Sequence, residues 1–502
     1  MPLRLYSTLT QRKEELTPLT AGEVRMYVCG VTVYDLCHLG HARSLLTFEV
    51  LRRYLRFRGY RVRMVRNFTD VDDKIIRRAQ EAGTTWDAVA DHYVQEFQTD
   101  MARFELPQAD VEPRATVHIP AMVTLIERLL ARGLAYVVEG DVYFRVRAYP
   151  GYGRLSHRNL EDLRAGARVE ADERKADPLD FALWKRVKPG EPAWDSPWGP
   201  GRPGWHIECS AMAMHYLGDS FDLHGGGEDL IFPHHENEIA QSEGATGKPF
   251  ARVWVHNGFV RIQQEKMSKS VGNVFTIREL LSKFSPDALK LFLLGTHYRG
   301  PIDYAPEKVE EAGRALDRIR LLAEAVETLE EGPAGAMLPG GVEPALAAAR
   351  EEFVAAMDDD LNTARGLSAI FTLVRQLNAA LDTLPDRRVA SPAAAAALRE
   401  AVAEVRRLGQ VLGLALATGA PISAEAAAAA PAVAALLREY CPDRVPAIAD
   451  LAGGVEALLA RREGARRARD FATADAIRRR LAEAGIEVAD RPQGSTWRIR
   501  AR

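Results

Sequence analysis

Cysteine is scarce: four in 502 residues, at positions 29, 37, 209 and 441, too few and too scattered for a disulfide framework. That scarcity fits a reducing compartment. No stretch reaches the roughly 18 consecutive apolar residues of a membrane-spanning helix. The opening "MPLRLYSTLTQRKEEL" lacks the apolar core and small-residue cleavage site of a secretory leader. An excess of one charge is missing too. With 66 Lys and Arg against 69 Asp and Glu, the net charge of -3 spreads no polyanion-binding surface over the whole chain, so such a surface must be local. The expectation is a cytoplasmic protein without membrane contact.

One local surface is visible. Residues 461–502 hold twelve arginines, no lysine and six acids, a balance of +6, which leaves -9 for the remainder. This tail reads as a helix, "RDFATADAIRRRLAEAG", with Phe471, Ile477 and Leu481 on one apolar side, then a hairpin, "IEVADRPQGSTWRIR". Trp497 lies between arginines there, placed either to stack on an unpaired base or to anchor the hairpin.

The rest of the chain is long enough for three or four domains. Near its start, "RMYVCGVTVY" reads as a strand, "ARSLLTFEVLRRYLRFRG" as a helix ending in glycine, and "YRVRMVRNFTDV" as a second strand. That is a βαβ unit and implies a parallel sheet, whose ligands sit at the carboxyl ends of the strands. Residues 116–204 break the pattern with a hairpin-like "VYFRVRAYPGYGRLS" and a Pro- and Gly-rich loop, so they read as an insertion. The α/β character returns in "SFDLHGGGEDLIF" and "VWVHNGFV". Beyond about residue 306 the chain is helical. Leu367, Ile370, Phe371, Val374, Leu377 and Leu381 form one apolar stripe. The alanine-rich "SAEAAAAAPAVAAL" reads as linker or weak helix.

Twelve histidines are few, yet "YDLCHLGHARS" sets His38 and His41 three apart where a strand gives way to a helix. Such a pair could bind a metal, cap the helix or meet a phosphate. Cys37 and His38 are neighbours and cannot point the same way, which weakens the metal reading. "PHHENE" is a better metal candidate, because His234 and Glu238 stand four apart on one helix face. With Cys29 at a strand end and Cys209 from "WHIECS", two thiols, an imidazole and a carboxylate make a set suited to zinc. The bland alternative is a core thiol and a capped loop histidine. For His38 and His41 two readings remain: donors to a phosphate at a helix N-terminus that Gly40 lets an anion approach, or an N-cap plus a core histidine. In "EKMSKSVGN", Lys266 and Lys269 suit a mobile loop carrying positive charge onto a triphosphate, or an ordinary charged loop.

Together, "HLGH" after a strand, "KMSKS" far downstream and a split α/β domain resemble the class I aminoacyl-tRNA synthetases. "YVCGVTVYDLCHLGHARS", "NFTDVDDKII", "DPLDFALWK", "GWHIECSAM", "DLHGGGEDLIFPHHENEIAQSE", "KMSKSVGN" and "MDDDLNTARG" narrow the resemblance to the cysteinyl-tRNA synthetase family, over nearly the whole chain. It implies an α/β fold: a Rossmann-like parallel-sheet catalytic domain in two halves, 1–115 and 205–265, split by an inserted connective-peptide domain, 116–204. The KMSKS loop and stem-contact region, 266–310, would follow. An α-helical bundle binding tRNA, 311–445, and a small basic α+β domain on the anticodon side, 446–502, would complete the chain.

The resemblance also implies site residues. Cys29, Cys209, His234 and Glu238 match the zinc ligands, one ion per chain. His38 and His41 match the phosphate-handling pair, with Gly40 between them, and Lys266 and Lys269 match the mobile lysines, the latter binding ATP. Thr69, Trp205, His224 and Asp229 fall in segments lining the amino-acid pocket, while Cys37 and His235 match no ligand position. Zinc would select the substrate thiolate over a hydroxyl. The cysteine carboxylate would attack the α-phosphorus of ATP with Mg2+ present, and a ribose hydroxyl of tRNA(Cys), the 2′-OH by resemblance, would then displace AMP. A monomer is expected.

Two rivals differ in partner. A mycothiol-pathway cysteine ligase shares the chemistry but uses an amino sugar acceptor and largely lacks the C-terminal region present here. A zinc-stabilised RNA-binding protein would need neither "HLGH" nor "KMSKS". A pyridoxal phosphate side activity, which in the family uses lysines of a "KIIK"-like segment, is left with Lys74 but meets Arg77 in place of the second lysine.

Overall fold

The computed structural model describes residues 2–160, 174–262, 265–266, 274–336, 342–382, 388–389, 392–416, 432–433, 435–437, 439–441, 451–468, 470–491 and 494–499. The chain divides into two compact units, Met1–Ala417 and Thr418–Arg502.

In the first unit the apolar run expected to be a strand forms β1 (Glu23–Thr32), followed by α1 (Leu39–Phe57) and β2 (Arg61–Thr69). After the insertion come α2 (Trp205–Leu217), β3 (Phe221–Gly227), α3 (Glu236–Thr246) and β4 (Ala251–Asn257). The four strands form one sheet in the order β4-β3-β1-β2, every pairing parallel. Met26, Tyr27 and Val28 are fully or almost fully buried in β1, as expected of a central parallel strand covered on both faces. The helix expected after β1 forms because His38 caps it. The His38 ring accepts from Gly40 N, and the ring of His41 takes the His38 backbone N–H, both at 3.1 Å. The carboxyl ends of all four strands point toward one edge, where Cys29, Thr69, Gly227 and Asn257 lie.

The insertion folds as helix Ile119–Ala131 and a four-stranded antiparallel sheet, Ala135–Val138, Asp141–Phe144, Phe181–Arg186 and Gly201–Pro203. Its hairpin turns at Glu139 and Gly140, both with positive φ, upstream of the stretch that suggested one. Beyond residue 148 that stretch is a turn instead. It is held by the buried carboxylate of Glu236, which accepts from the backbone N–H of Gly153 (2.9 Å), Leu155 (3.1 Å) and Ser156 (2.8 Å). Periodicity alone does not reveal a remote carboxylate that satisfies three backbone donors.

Helices Pro306–Glu327, Glu343–Asp358, Thr363–Asp382 and Pro392–Val411 follow. Of the expected apolar stripe, Leu367, Ile370, Val374, Leu377 and Leu381 are buried, whereas Phe371 is half-buried under the Arg318 guanidinium. No helix of the described residues is long and apolar enough to cross a membrane.

The second unit contains helices Leu451–Arg467 and Phe471–Glu483 and the hairpin Ile486–Arg491 with Gly494–Ile499. Its core includes Val455, Leu458, Ile477, Leu481 and Ile486, and the half-buried Trp497 packs against it. Phe471, expected on the packing side, is 60% exposed at the first turn of its helix. Most of the alanine-rich stretch lies outside the described residues.

Candidate functional site

A cleft of about 420 Å³ opens at the carboxyl edge of the sheet. The end of β1, including Cys29 and Gly30, forms one wall, and His38, Gly40 and His41 at the start of α1 form its floor. Trp205, Asp229 and the segment from Asn257 to Val260 close the far side. The His38 and His41 rings stack at 3.8 Å between centroids, and a Cβ on residue 40 would meet the His38 ring at 2.9 Å. A side chain there would push the ring off the helix end.

Beside the cleft, Cys29 from β1, Cys209 from α2, His234 from the turn Ile231–His235 that precedes α3, and Glu238 from α3 converge. Cys29 Sγ stands 3.6 Å from Cys209 Sγ and 3.4 Å from Glu238 Oε1, while His234 Nε2 stands 3.4 Å from Cys209 Sγ and 3.2 Å from Glu238 Oε1. These edges approach the about 3.3–3.8 Å expected between ligands of a tetrahedral zinc with thiolate, imidazole and carboxylate donors. All four residues are buried or nearly so. Burial pushes both thiols up and pulls the His234 imidazole well down, and two sulfurs, an imidazole nitrogen and a carboxylate oxygen are donor types that zinc takes. The set fits a metal.

Around these donors lies a shell of histidines that motif spacing left without a role. Nδ1 of His206 meets His234 Nδ1 at 2.9 Å, leaving His234 Nε2 toward the thiols. A second donor group shares two members with the first: Cys29, His224, His235 and Glu238. His235 Nε2 is 3.3 Å from Cys29 Sγ, and its Nδ1 meets His256 Nε2 at 2.7 Å, which in turn has Thr8 Oγ1 on its other nitrogen at 2.7 Å. The doubled histidine of "PHHENE" was the one signal of this shell in the sequence.

The other expected site residues divide. Trp205, 37% exposed, faces the cleft and lies over His234 with centroids 4.2 Å apart. Asp229 lines the cleft. Thr69 is buried, bonded to Asn67 Nδ2 at 3.3 Å. His224 is fully buried behind Glu238 and stacks on Trp254 at 4.3 Å. Lys266 lies in the short strand Glu265–Lys266, paired with Arg261 and Ile262, and Lys269 lies outside the described residues. Lys74 lines the cleft with its ammonium 5.3 Å over the Tyr34 ring, and nothing in its surroundings adds support for pyridoxal phosphate.

Both flanks of the lysine segment are tied to α1. Downstream, Leu39 N donates to Phe275 O and Ile277 N to Cys37 O, at 3.1 and 3.0 Å. Upstream, the buried Arg43 guanidinium donates to the carbonyls of Gly258 (3.0 Å) and Phe259 (2.7 Å), and on its other nitrogen to Gly300. Desolvation lowers the Arg43 pKa to about 10. The described residues that flank "KMSKS" are thus held to the start of α1, which carries the two histidines.

Known proteins match along the whole chain. Residues 15–314 match the family model described as tRNA synthetases class I (C) catalytic domain, residues 352–417 the DALR domain, and residues 449–498 the cysteinyl-tRNA ligase anticodon binding domain. The cysteine–tRNA ligase of Geobacter metallireducens is 50% identical over 503 residues, and that of Syntrophotalea carbinolica 48% over 509, each covering 100% of both chains. Among solved structures, methionyl-tRNA synthetase of Mycobacterium tuberculosis in complex with methionyl-adenylate superposes with a TM-score of 0.58 at 18% identity. That match covers 80% of this chain and 92% of the other, and at such identity it speaks for the fold alone.

Proposed function

The chain belongs to the cysteinyl-tRNA synthetase family of class I enzymes, which join cysteine to tRNA with ATP, and from that premise we propose how its own residues divide the work. The observation that carries the proposal is the convergence of Cys29, Cys209, His234 and Glu238 beside a cleft floored by His38 and His41.

Cys29, Cys209, His234 and Glu238 would hold one zinc ion, which when bound supplies a site that prefers a soft thiolate to the hydroxyl of serine. Trp205, placed over His234 at the cleft wall, shields the substrate side of those ligands from water, and Thr69 and Asp229 help to orient cysteine. The cysteine carboxylate attacks the α-phosphorus of magnesium-bound ATP, and pyrophosphate leaves. His38 and His41 exchange their mutual capping bonds for phosphate oxygens as charge develops there, helped by the α1 N-terminus, with Gly40 allowing the approach. Lys266 and Lys269 bring positive charge from the segment anchored beside them, Lys269 to ATP. The terminal ribose hydroxyl of tRNA then displaces AMP from the adenylate.

The remaining assignments belong to the same proposal. The catalytic halves are 1–115 and 205–265, separated by the connective peptide 116–204. Stem contact falls to 266–310, tRNA binding to the helical region 311–445, and the anticodon side to 446–502. The enzyme works as a monomer in the cytoplasm. The amino-sugar ligase reading is not favoured, because matches to cysteine–tRNA ligases run the full length and include the anticodon binding domain. The test is cysteine-dependent ATP–pyrophosphate exchange measured together with zinc content, then transfer to tRNA(Cys) against transfer to an amino sugar. Exchange that proceeds equally with serine, or a protein purified without a thiol-bound metal, would sink the assignment of the metal to substrate selection.

A further inference from the structure

Asn67 is 1% exposed near the carboxyl end of β2, and nothing in the motifs gives it a role. Its Oδ1 accepts the Gly30 backbone N–H at 2.9 Å and stands 3.7 Å from Cys209 Sγ, while its Nδ2 donates to Thr69 Oγ1 at 3.3 Å. The β1–β2 ladder shifts register between Val28 and Val31, which leaves the Gly30 N–H without a strand partner until the amide takes it. There is no slack in this arrangement. A Cβ on residue 30 would fall 1.6 Å from the Asn67 carbonyl oxygen, so β1 is drawn hard against Asn67 one residue after Cys29.

One side chain therefore touches the backbone beside one thiol and the sulfur of the other. We propose that Asn67 is a positioning residue that sets the spacing of the Cys29 and Cys209 sulfurs, and through it the preference for a thiol substrate. This rests on the reading that these sulfurs hold zinc. Selectivity for sulfur requires donors kept within a fraction of an ångström of a near-tetrahedral set, and such precision comes from residues behind the ligands. Cys29 needs it most, because it sits on an irregular stretch of strand whereas Cys209 is carried by a regular helix. The amide is also suited by charge: it accepts from the N–H of Gly30 and donates to the hydroxyl of Thr69 without adding a negative charge beside the two sulfurs and the carboxylate.

The test uses the full-length protein loaded with Co2+, which reports thiolate coordination by its charge-transfer and d–d absorption. Asn67→Ala removes the tie to Gly30. Asn67→Asp keeps an acceptor of the same size but adds a negative charge beside Cys209 and drops the donor to Thr69. Both are expected to shift the Co2+ spectrum, to raise the cysteine KM in pyrophosphate exchange about 10- to 100-fold, and to leave the ATP KM near that of the parent. Discrimination against serine should fall with them. Should Asn67→Ala fail to fold, Asn67→Asp carries the test alone. A folded variant that keeps either the parent spectrum or the parent cysteine KM overturns the proposal while leaving the zinc reading intact. A parent protein that shows no thiolate–Co2+ absorption overturns both.

Discussion

His224 Nε2 lies 2.8 Å from Glu238 Oε2, with both side chains fully buried. The other carboxylate oxygen, Oε1, faces Cys29 and His234. His224 thus fixes the rotation of a donor carboxylate. His224→Gln should weaken metal retention by about 10- to 100-fold, read by competition with a chelator, and leave ATP affinity unchanged. Cysteine affinity lost with the metal still tightly held would instead mark His224 as a direct substrate contact.

Replacing Cys209 with serine should loosen the metal and weaken cysteine binding, with little direct effect on ATP. The buried thiol and His234 share an edge of 3.4 Å, and a hydroxyl is a poorer zinc ligand at that position. Chelator treatment of the unmodified protein should give the same phenotype reversibly, with exchange activity restored by added zinc. Normal cysteine affinity without bound metal would refute the role given to the four donors.

Arg43 links α1 to carbonyls on either side of the lysine segment, at Gly258, Phe259 and Gly300. A lysine at 43 has a point-like ammonium and cannot span that fan of acceptors. Arg43→Lys is expected to cost about 2–3 kcal/mol of stability, as lost hydrogen bonds to a charged group do, and to slow pyrophosphate exchange at saturating ATP and cysteine. Calorimetry and kcat measured on the same preparation check this. A drop in stability with kcat unchanged would show that the clamp holds the fold without influencing the lysine segment.

Asp360 explains why "MDDDLNT" breaks a helical region. Fully buried, it accepts from Tyr6 N, the Tyr298 hydroxyl and Arg299 Nε, each at 2.8 Å, and it and Leu361 adopt positive φ. One carboxylate therefore joins the first strand of the chain, Arg4–Ser7, the segment after the lysine loop and the first residues before helix Thr363–Asp382. Asp360→Ala should destabilise the first unit by about 2–4 kcal/mol, because it leaves the Tyr6 N–H and the buried Tyr298 hydroxyl without their acceptor. A change in melting temperature no larger than that of a surface substitution would contradict this.

Much of the site was legible because it is written in local runs. The βαβ unit shows in the switch from an apolar run to helical spacing at Leu39, and the donors His234 and Glu238 show in a four-residue interval. Asn67, Arg43 and His206 did not show, since each acts through partners 28 to 257 residues away that no local pattern marks. The insertion hairpin was misplaced for a related reason. The latter part of "VYFRVRAYPGYGRLS", read as hairpin-like, turns on itself because Glu236 supplies acceptors for its backbone N–H groups.

In the tail, Phe471 departs from the packing side expected of it. Trp497 packs half-buried on the core of the second unit, as the anchor reading requires, while Phe471 stands 60% exposed at the start of its helix, with Arg461, Arg466 and Arg467 on the preceding helix close in sequence. An exposed ring can stack on an unpaired base, and arginines nearby in the chain can hold its backbone. Phe471→Ala should raise the tRNA concentration needed for charging by the equivalent of about 1–3 kcal/mol, roughly 5- to 150-fold, with tRNA-independent pyrophosphate exchange intact. Substituting Arg466 and Arg467 by alanine should weaken charging too, but with a shallower dependence on salt, since phosphate contacts and not stacking carry the salt slope. Trp497→Ala should lower the melting temperature of the second unit instead. If Phe471→Ala charges tRNA like the parent across the salt series while Trp497→Ala folds normally and fails, the stacking residue is the tryptophan after all, and the hairpin must open to present it.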